Sequence, residues 1–109
     1  MKIALPVATR DENCVLDNRF GRGSFYYIFD TENDSFEIVD NPAKQARGGA
    51  GIQAVEYLIS KGIESVIIPE MGPNAERVLR SANISVFQGE ILPAKVLVEK
   101  WKNKSLKEI

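Results

Sequence analysis

The residues most suggestive of chemistry sit in loops. Arg47-Gly48-Gly49-Ala50-Gly51 runs directly into helical spacing at Ile52. Glycines let backbone amides approach a ligand closely, and a helix N-terminus favours negative charge. Arg47 adds a forked donor for an anionic group. A plain flexible turn reads equally well from this segment alone. Its spacing is neither the Walker A pattern nor the dinucleotide fingerprint, and it follows a hairpin instead of opening a βαβ unit.

A second segment, Asn18-Arg19-Phe20-Gly21-Arg22-Gly23, sets two arginines around an aromatic. Facing the first loop, Arg19, Arg22 and Arg47 form an electropositive rim that also includes the amides of Gly48, Gly49 and Gly51. The plainer reading is a solvated loop with Phe20 as its packed anchor. Cys14 lies in the same stretch. A lone thiol can ligate a metal or a cluster edge when nearby arginines lower its pKa, although most lone cysteines simply pack. Met71, in Glu70-Met71-Gly72-Pro73, offers a soft thioether, with packing again its plainer role. The carboxylates Asp11, Glu12, Asp17 and Glu70 are scattered over two loops. Two-metal nucleases hold acids rigidly around ions about 4 Å apart. The first strand, Lys2 to Ala8, contains no acid at all, which argues against nuclease chemistry.

Composition narrows the field further. The 109 residues include no histidine and one cysteine. Ser-His-Asp and Cys-His catalysis are therefore excluded, as are histidine-containing zinc sites and four-cysteine sites within one chain. No intrachain disulfide can form, which fits a reducing cytoplasm. The length predicts one domain, residues 1–109, able to bury about two-thirds of its unfolded surface. A net charge of -1 argues against a general nucleic-acid binder. No apolar run approaches the ~20 residues of a membrane span. The apolar start, Met1 to Val7, is too short for a secretion signal and reads as a strand.

The elements that must position these loops follow from periodicity. Lys2 to Ala8 reads as a strand with Ile3, Leu5 and Val7 on one face. Ser24 to Asp30 and Ser35 to Asp40 form a hairpin around the turn Thr31 to Asp34. From Ile52 the spacing becomes helical, closing at Gly62. Val66 to Ile68 reads as a buried parallel strand, Pro73 to Ala82 as a helix, and Ile84 to Gln88 as a fifth strand. Pro93 opens a third helix carrying Val96, Leu97 and Trp101, and Lys102 to Ile109 reads as a frayed or helical end with a solvated charged face.

The predicted order is β-β-β-α-β-α-β-α. It implies an α/β three-layer fold with a mixed five-stranded sheet in the order 3-2-1-4-5, the second strand antiparallel. Seven of the eight glycines then fall in loops at the carboxyl ends of the strands, where open α/β sheets bind ligands.

Four segments carry a family resemblance: Met1-Lys2-Ile3-Ala4-Leu5-Pro6-Val7, Arg19-Phe20-Gly21-Arg22, Gly48-Gly49-Ala50-Gly51-Ile52-Gln53-Ala54, and Met71-Gly72-Pro73-Asn74-Ala75. In this order and spacing the chain, from Met1 to about Trp101, resembles the dinitrogenase iron–molybdenum cofactor biosynthesis family of nitrogenase-cofactor carrier-like proteins. The resemblance implies a ribonuclease H-like fold. It also implies non-enzymatic binding or carrying of an iron–sulfur or iron–molybdenum cofactor, with a cofactor-donating or cofactor-accepting protein as partner. Family members often place histidine before Phe-Gly-Arg and at the entry to the glycine-rich loop, where this chain has Arg19 and the Arg47-Gly48 stretch. Histidine ligation therefore does not carry over. A bound cofactor falls to Cys14, the loop amides and the arginines, held transiently as an anion. The alternative is an adaptor or regulatory module that binds a protein or a small anion through the same loops.

Overall fold

The central strand is built from alternating apolar residues that both faces of a sheet can bury. In the computed structural model, which describes residues 1–109, Lys2–Val7 forms β1. Ile3, Leu5 and Val7 point to one core and Ala4 to the other. Strands β2 (Phe25–Asp30) and β3 (Ser35–Asp40) form the expected hairpin, in register from Phe25 opposite Asp40 to Asp30 opposite Ser35. β2 also runs antiparallel to β1, with Lys2 opposite Asp30 and Val7 opposite Phe25.

The remaining chain alternates: α1 (Ala50–Ser60), β4 (Ile63–Ile68), α2 (Pro73–Ser81), β5 (Ser85–Gln88), α3 (Ala94–Lys102) and β6 (Lys107–Glu108). β4 pairs parallel with β1, and β5 parallel with β4. The sheet order is β3-β2-β1-β4-β5-β6. The first five strands stand in the order expected from the sequence. The sixth corrects the reading of Lys102 to Ile109 as a frayed or helical end. α3 stops at Lys102, Lys104 takes a positive φ of 58°, and the chain turns back so that Lys107 and Glu108 pair antiparallel with Gln88 and Phe87.

The sheet separates two apolar layers. One gathers Ala4, Tyr26, Ile28, Val66, Ile68 and the inner faces of α1 and α2, including Val55, Leu58 and Leu79. The other gathers Ile3, Leu5, Val7, Tyr27, Phe29, Ile67 and the inner face of α3, including Leu97 and Val98. Burying a large aliphatic side chain is worth about 1.5–3 kcal/mol, so both layers contribute to holding the sheet.

The loop after β1 is firmly tied. β1 pairs with β4 only from Lys2 to Ala4, and the returning chain lies alongside its far end. Leu16 bridges to Val7, the Asp17 N–H donates to the Pro6 carbonyl at 2.8 Å, and Val15 bridges to Pro93. Leu16 N–H donates to Leu92, and Ala94 N–H donates to Cys14. Residues 14–17 therefore link the end of β1 to the start of α3.

Candidate functional site

Local sequence brings three segments together at the carboxyl ends of the strands. The first is the loop Asp17 to Gly23. Asp17 is buried, and its carboxylate accepts from Arg19 three times: the backbone N–H at 2.9 Å, Nε at 3.3 Å and Nη2 at 3.0 Å. Burial alone pushes the Asp17 pKa up. The guanidinium and amide donors outweigh it and hold the group below its ordinary value. Arg19 is in consequence aimed, with its guanidinium largely exposed. Phe20 packs its ring 5.9 Å from that of Tyr26, whose hydroxyl donates to the Phe20 carbonyl. Phe20 is thus the anchor the sequence suggested, although its edge also lines the cavity described below.

The second segment is the stretch from Asn41 into α1. Asn41 is 1% exposed. Its Nδ2 donates to the carbonyls of Gly21 and Gly23, each at 2.9 Å, while Oδ1 accepts from the Ala43 N–H at 2.9 Å. One side chain therefore fastens both loops. Arg22 reinforces the join by donating from Nη1 to the Ala46 carbonyl at 2.6 Å. Gly49 caps α1 with φ 69°, a conformation that disfavours a Cβ. No side chain caps α1, and its first turn holds no acid.

The third segment is the start of α2. Gly72 precedes Pro73, whose missing N–H is harmless in a first turn, and no side chain caps this helix either. Asn74 accepts from Arg77 Nη2 at 3.1 Å, which places a further guanidinium over the gap between the helices.

The three segments enclose a cavity of about 590 Å³. Arg19, Arg22 and Arg77 line it, together with Phe20, Gly21, Gly49, Ala50, Gly51, Ile52, Asn74, Ala75 and Val78, and no carboxylate is among them. A smaller cavity of about 310 Å³ adjoins it through Phe20, Gly21 and Ala75, and Met71 lines that one while packing on the α1–α2 core.

Of the residues singled out in the sequence, Arg19, Arg22, Gly49 and Gly51 meet at this cavity. Arg47 and Gly48 are exposed and stand outside its lining. Cys14 is 1% exposed and belongs to the apolar layer under α3, on the other face of the sheet. Burial, then the charge of Asp11, raises its thiol pKa, the reverse of the lowering that ligation requires. No three His, Cys, Asp or Glu side chains lie close enough to hold a metal ion. Sequence reasoning missed Arg77, Asn74 and Asn41. The (i, i+3) spacing of Asn74 and Arg77 on one helix face was the available signal.

The arrangement is a donor-lined recess. It can bind an anion through guanidinium and backbone N–H groups, and it offers no thiolate, imidazole or carboxylate to bond a metal. No helix of the protein is long and apolar enough to cross a membrane.

Comparison with known proteins places this geometry in a family. Over 98% of its length the chain superposes on 91% of a putative NifB protein from Thermotoga, at 30% identity and a TM-score of 0.85. It superposes on the apo form of the orange protein from Desulfovibrio gigas with a TM-score of 0.91 at 26% identity, covering 99% of this chain and 92% of that one. It is 31% identical over 91 residues to an uncharacterised protein of Methanocaldococcus jannaschii, a match spanning 81% of this chain and 74% of that protein. The model of the dinitrogenase iron–molybdenum cofactor family matches residues 1–104. This chain belongs to the dinitrogenase iron–molybdenum cofactor family.

Proposed function

We propose that the protein is a non-enzymatic carrier that holds an anionic metal–sulfur cluster, of iron–sulfur or iron–molybdenum type, as cargo in the recess between the Asp17–Gly23 loop, α1 and α2. The observation that carries this reading is the lining itself. Three guanidinium groups and the open first turn of α1 share one cavity with no carboxylate. Charge-assisted N–H bonds to sulfide or oxo edges are strong enough to retain such a cluster and leave no covalent bond to break on release. Cys14 has no part in this holding, because its thiol lies in the opposite layer. Arg47 and Gly48, exposed beside the mouth, steer the incoming anion and do not bind it. The partner in this reading is a protein that donates or accepts the cluster. The lone thiol and transient holding suit the reducing cytoplasm.

Anaerobic incubation with iron, sulfide and molybdate, followed by desalting, absorbance and native mass spectrometry, tests the proposal. A coloured species with a discrete mass increment is expected, and Arg22→Ala combined with Arg77→Ala should abolish it. Retention of no metal at stoichiometric protein overturns the reading. Binding of inorganic phosphate in that case, sensitive to the same arginine pair, supports the small-anion adaptor instead.

A further inference from the structure

The two edges of the sheet are not alike. β6, at one edge, is two residues long, and an edge so short gives another chain little to pair with. β3, at the other edge, runs for six residues. It carries Phe36, 46% exposed, whose ring stacks at 4.8 Å on that of Tyr27. A long edge with apolar residues pairs with a further strand unless something blocks it.

The main-chain groups that face outward from β3 can be identified. The Asn41 N–H donates to the Ser24 carbonyl at 3.1 Å, which extends the β2–β3 ladder by one step and fixes its phase. Bonded and non-bonded pairs alternate along an antiparallel ladder. Val39, Glu37 and Ser35 therefore bond to Tyr26, Ile28 and Asp30. The N–H and C=O groups of Phe36, Ile38 and Asp40 point away from β2. Arg10, from the loop after β1, reaches across to this side. Its Nη1 donates to the Ile38 carbonyl at 3.2 Å and its Nη2 to Asp40 Oδ1 at 2.7 Å. The same guanidinium lies 5.0 Å from the centroid of the Phe25 ring. Three contacts on one planar group hold it across the middle of the open edge.

We infer that the β3 edge is a self-association surface, that its occupant is β3 of a second copy of this chain, and that Arg10 holds it closed. Two copies related by a two-fold axis must pair outward-facing residues with outward-facing residues. Centred on Glu37, such a pair sets one Glu37 directly opposite the other, and like charges so placed repel. Centred on Ile38, Phe36 meets Asp40 and Glu37 meets Val39, with no like charges opposed. The Ile38 carbonyl is then the central acceptor, and it is the one that Arg10 occupies. Pairing has to displace the guanidinium of both copies at once and leave both Asp40 carboxylates without their partner. The inference concerns the sheet edge alone and stands whether or not the recess holds a cluster.

Sedimentation velocity over a concentration series, with residue-resolved amide exchange, tests it on the full-length protein. The parent should sediment as a 12.1 kDa monomer, with the amides of Phe36, Ile38 and Asp40 exchanging fast and those of Glu37 and Val39 slowly. Arg10→Ala should dimerise at least about tenfold more tightly than the parent. The assembly should stop at the dimer, because β6 offers no second long edge. Arg10→Met keeps an apolar stem against Phe25 without a donor and should behave in the same way. In both dimers the amides of Phe36, Ile38 and Asp40 should become protected, while β1 and β4 stay slow as in the parent. Variants that remain monomeric overturn the inference. So does association that protects other amides and leaves these three exchanging fast, and so does a parent that already dimerises through them.

Discussion

Gly21 lies backbone against backbone on Gly51. A Cβ added at Gly21 would stand 3.1 Å from both the Cα and the N of Gly51, and 3.3 Å from the Ala50 carbonyl carbon. The loop bearing Arg19 and Arg22 therefore sits directly on the first turn of α1. This contact sets the spacing between the guanidinium groups and the helix amides.

Gly21→Ala should force the two segments apart. Overpacking of this kind costs about 1–3 kcal/mol. Urea denaturation should show a loss of that size, and the metal retained after anaerobic reconstitution should drop in the same variant. Unchanged values for both would mean that the loop yields without consequence.

Asn41→Ala should destabilise the protein by about 3 kcal/mol, because it strands the buried Gly23 carbonyl and Ala43 N–H and the half-buried Gly21 carbonyl. Its signature is specific. Amide exchange should accelerate in residues 18–23 and 43–49 and stay slow in β1 and β4. Uniform acceleration would mean that Asn41 acts on the whole fold and not on the join between loops.

Asp17 gives the acid limb of stability its shape. Its pKa is depressed in the folded protein, so its contribution is complete above the unfolded aspartate value of about 3.9 and is lost as pH falls through the lower folded value. Asp17→Asn should therefore be less stable than the parent at neutral pH, with the gap closing below about pH 4. Circular dichroism melts across that range measure it. A gap that persists unchanged in acid would show that geometry, and not charge, accounts for the role of Asp17.

Cys14 should behave as a packing residue. A thiol reagent such as Ellman's should react with it only on the timescale of unfolding, since burial both shields the sulfur and raises its pKa. Cys14→Ala should lower stability by about 1 kcal/mol and leave metal retention intact. Loss of retention at unchanged stability would return the thiol to the ligand set.

Much of the fold was legible because it rests on period. Ile3, Leu5 and Val7 alternate, Phe36 and Ile38 alternate, and the spacing of Val55 and Leu58 is helical. β6 was not legible, because two charged residues form no pattern. It exists through a reversal at Lys104 that no glycine announces. The packing of Cys14 was not legible either: Cys14, Val15 and Leu16 are all apolar in the sequence, and only the fold separates buried Cys14 and Leu16 from exposed Val15. Asn41 stands before Pro42 at the end of a strand, and nothing local reveals that its amide reaches back to Gly21, twenty residues earlier. Long-range contacts of this kind are what sequence periodicity does not encode.

α1 and α2 both begin on a glycine with no side-chain acceptor. Elsewhere a capping serine or aspartate satisfies those N–H groups and is worth about 1 kcal/mol. In the proposed carrier that position is left to the incoming anion, so occupancy and local order would draw on the same free energy. The filled protein is then the more heat-resistant and protease-resistant form. On the proposed function, the molecules left without cargo are the ones that cellular quality control would remove first.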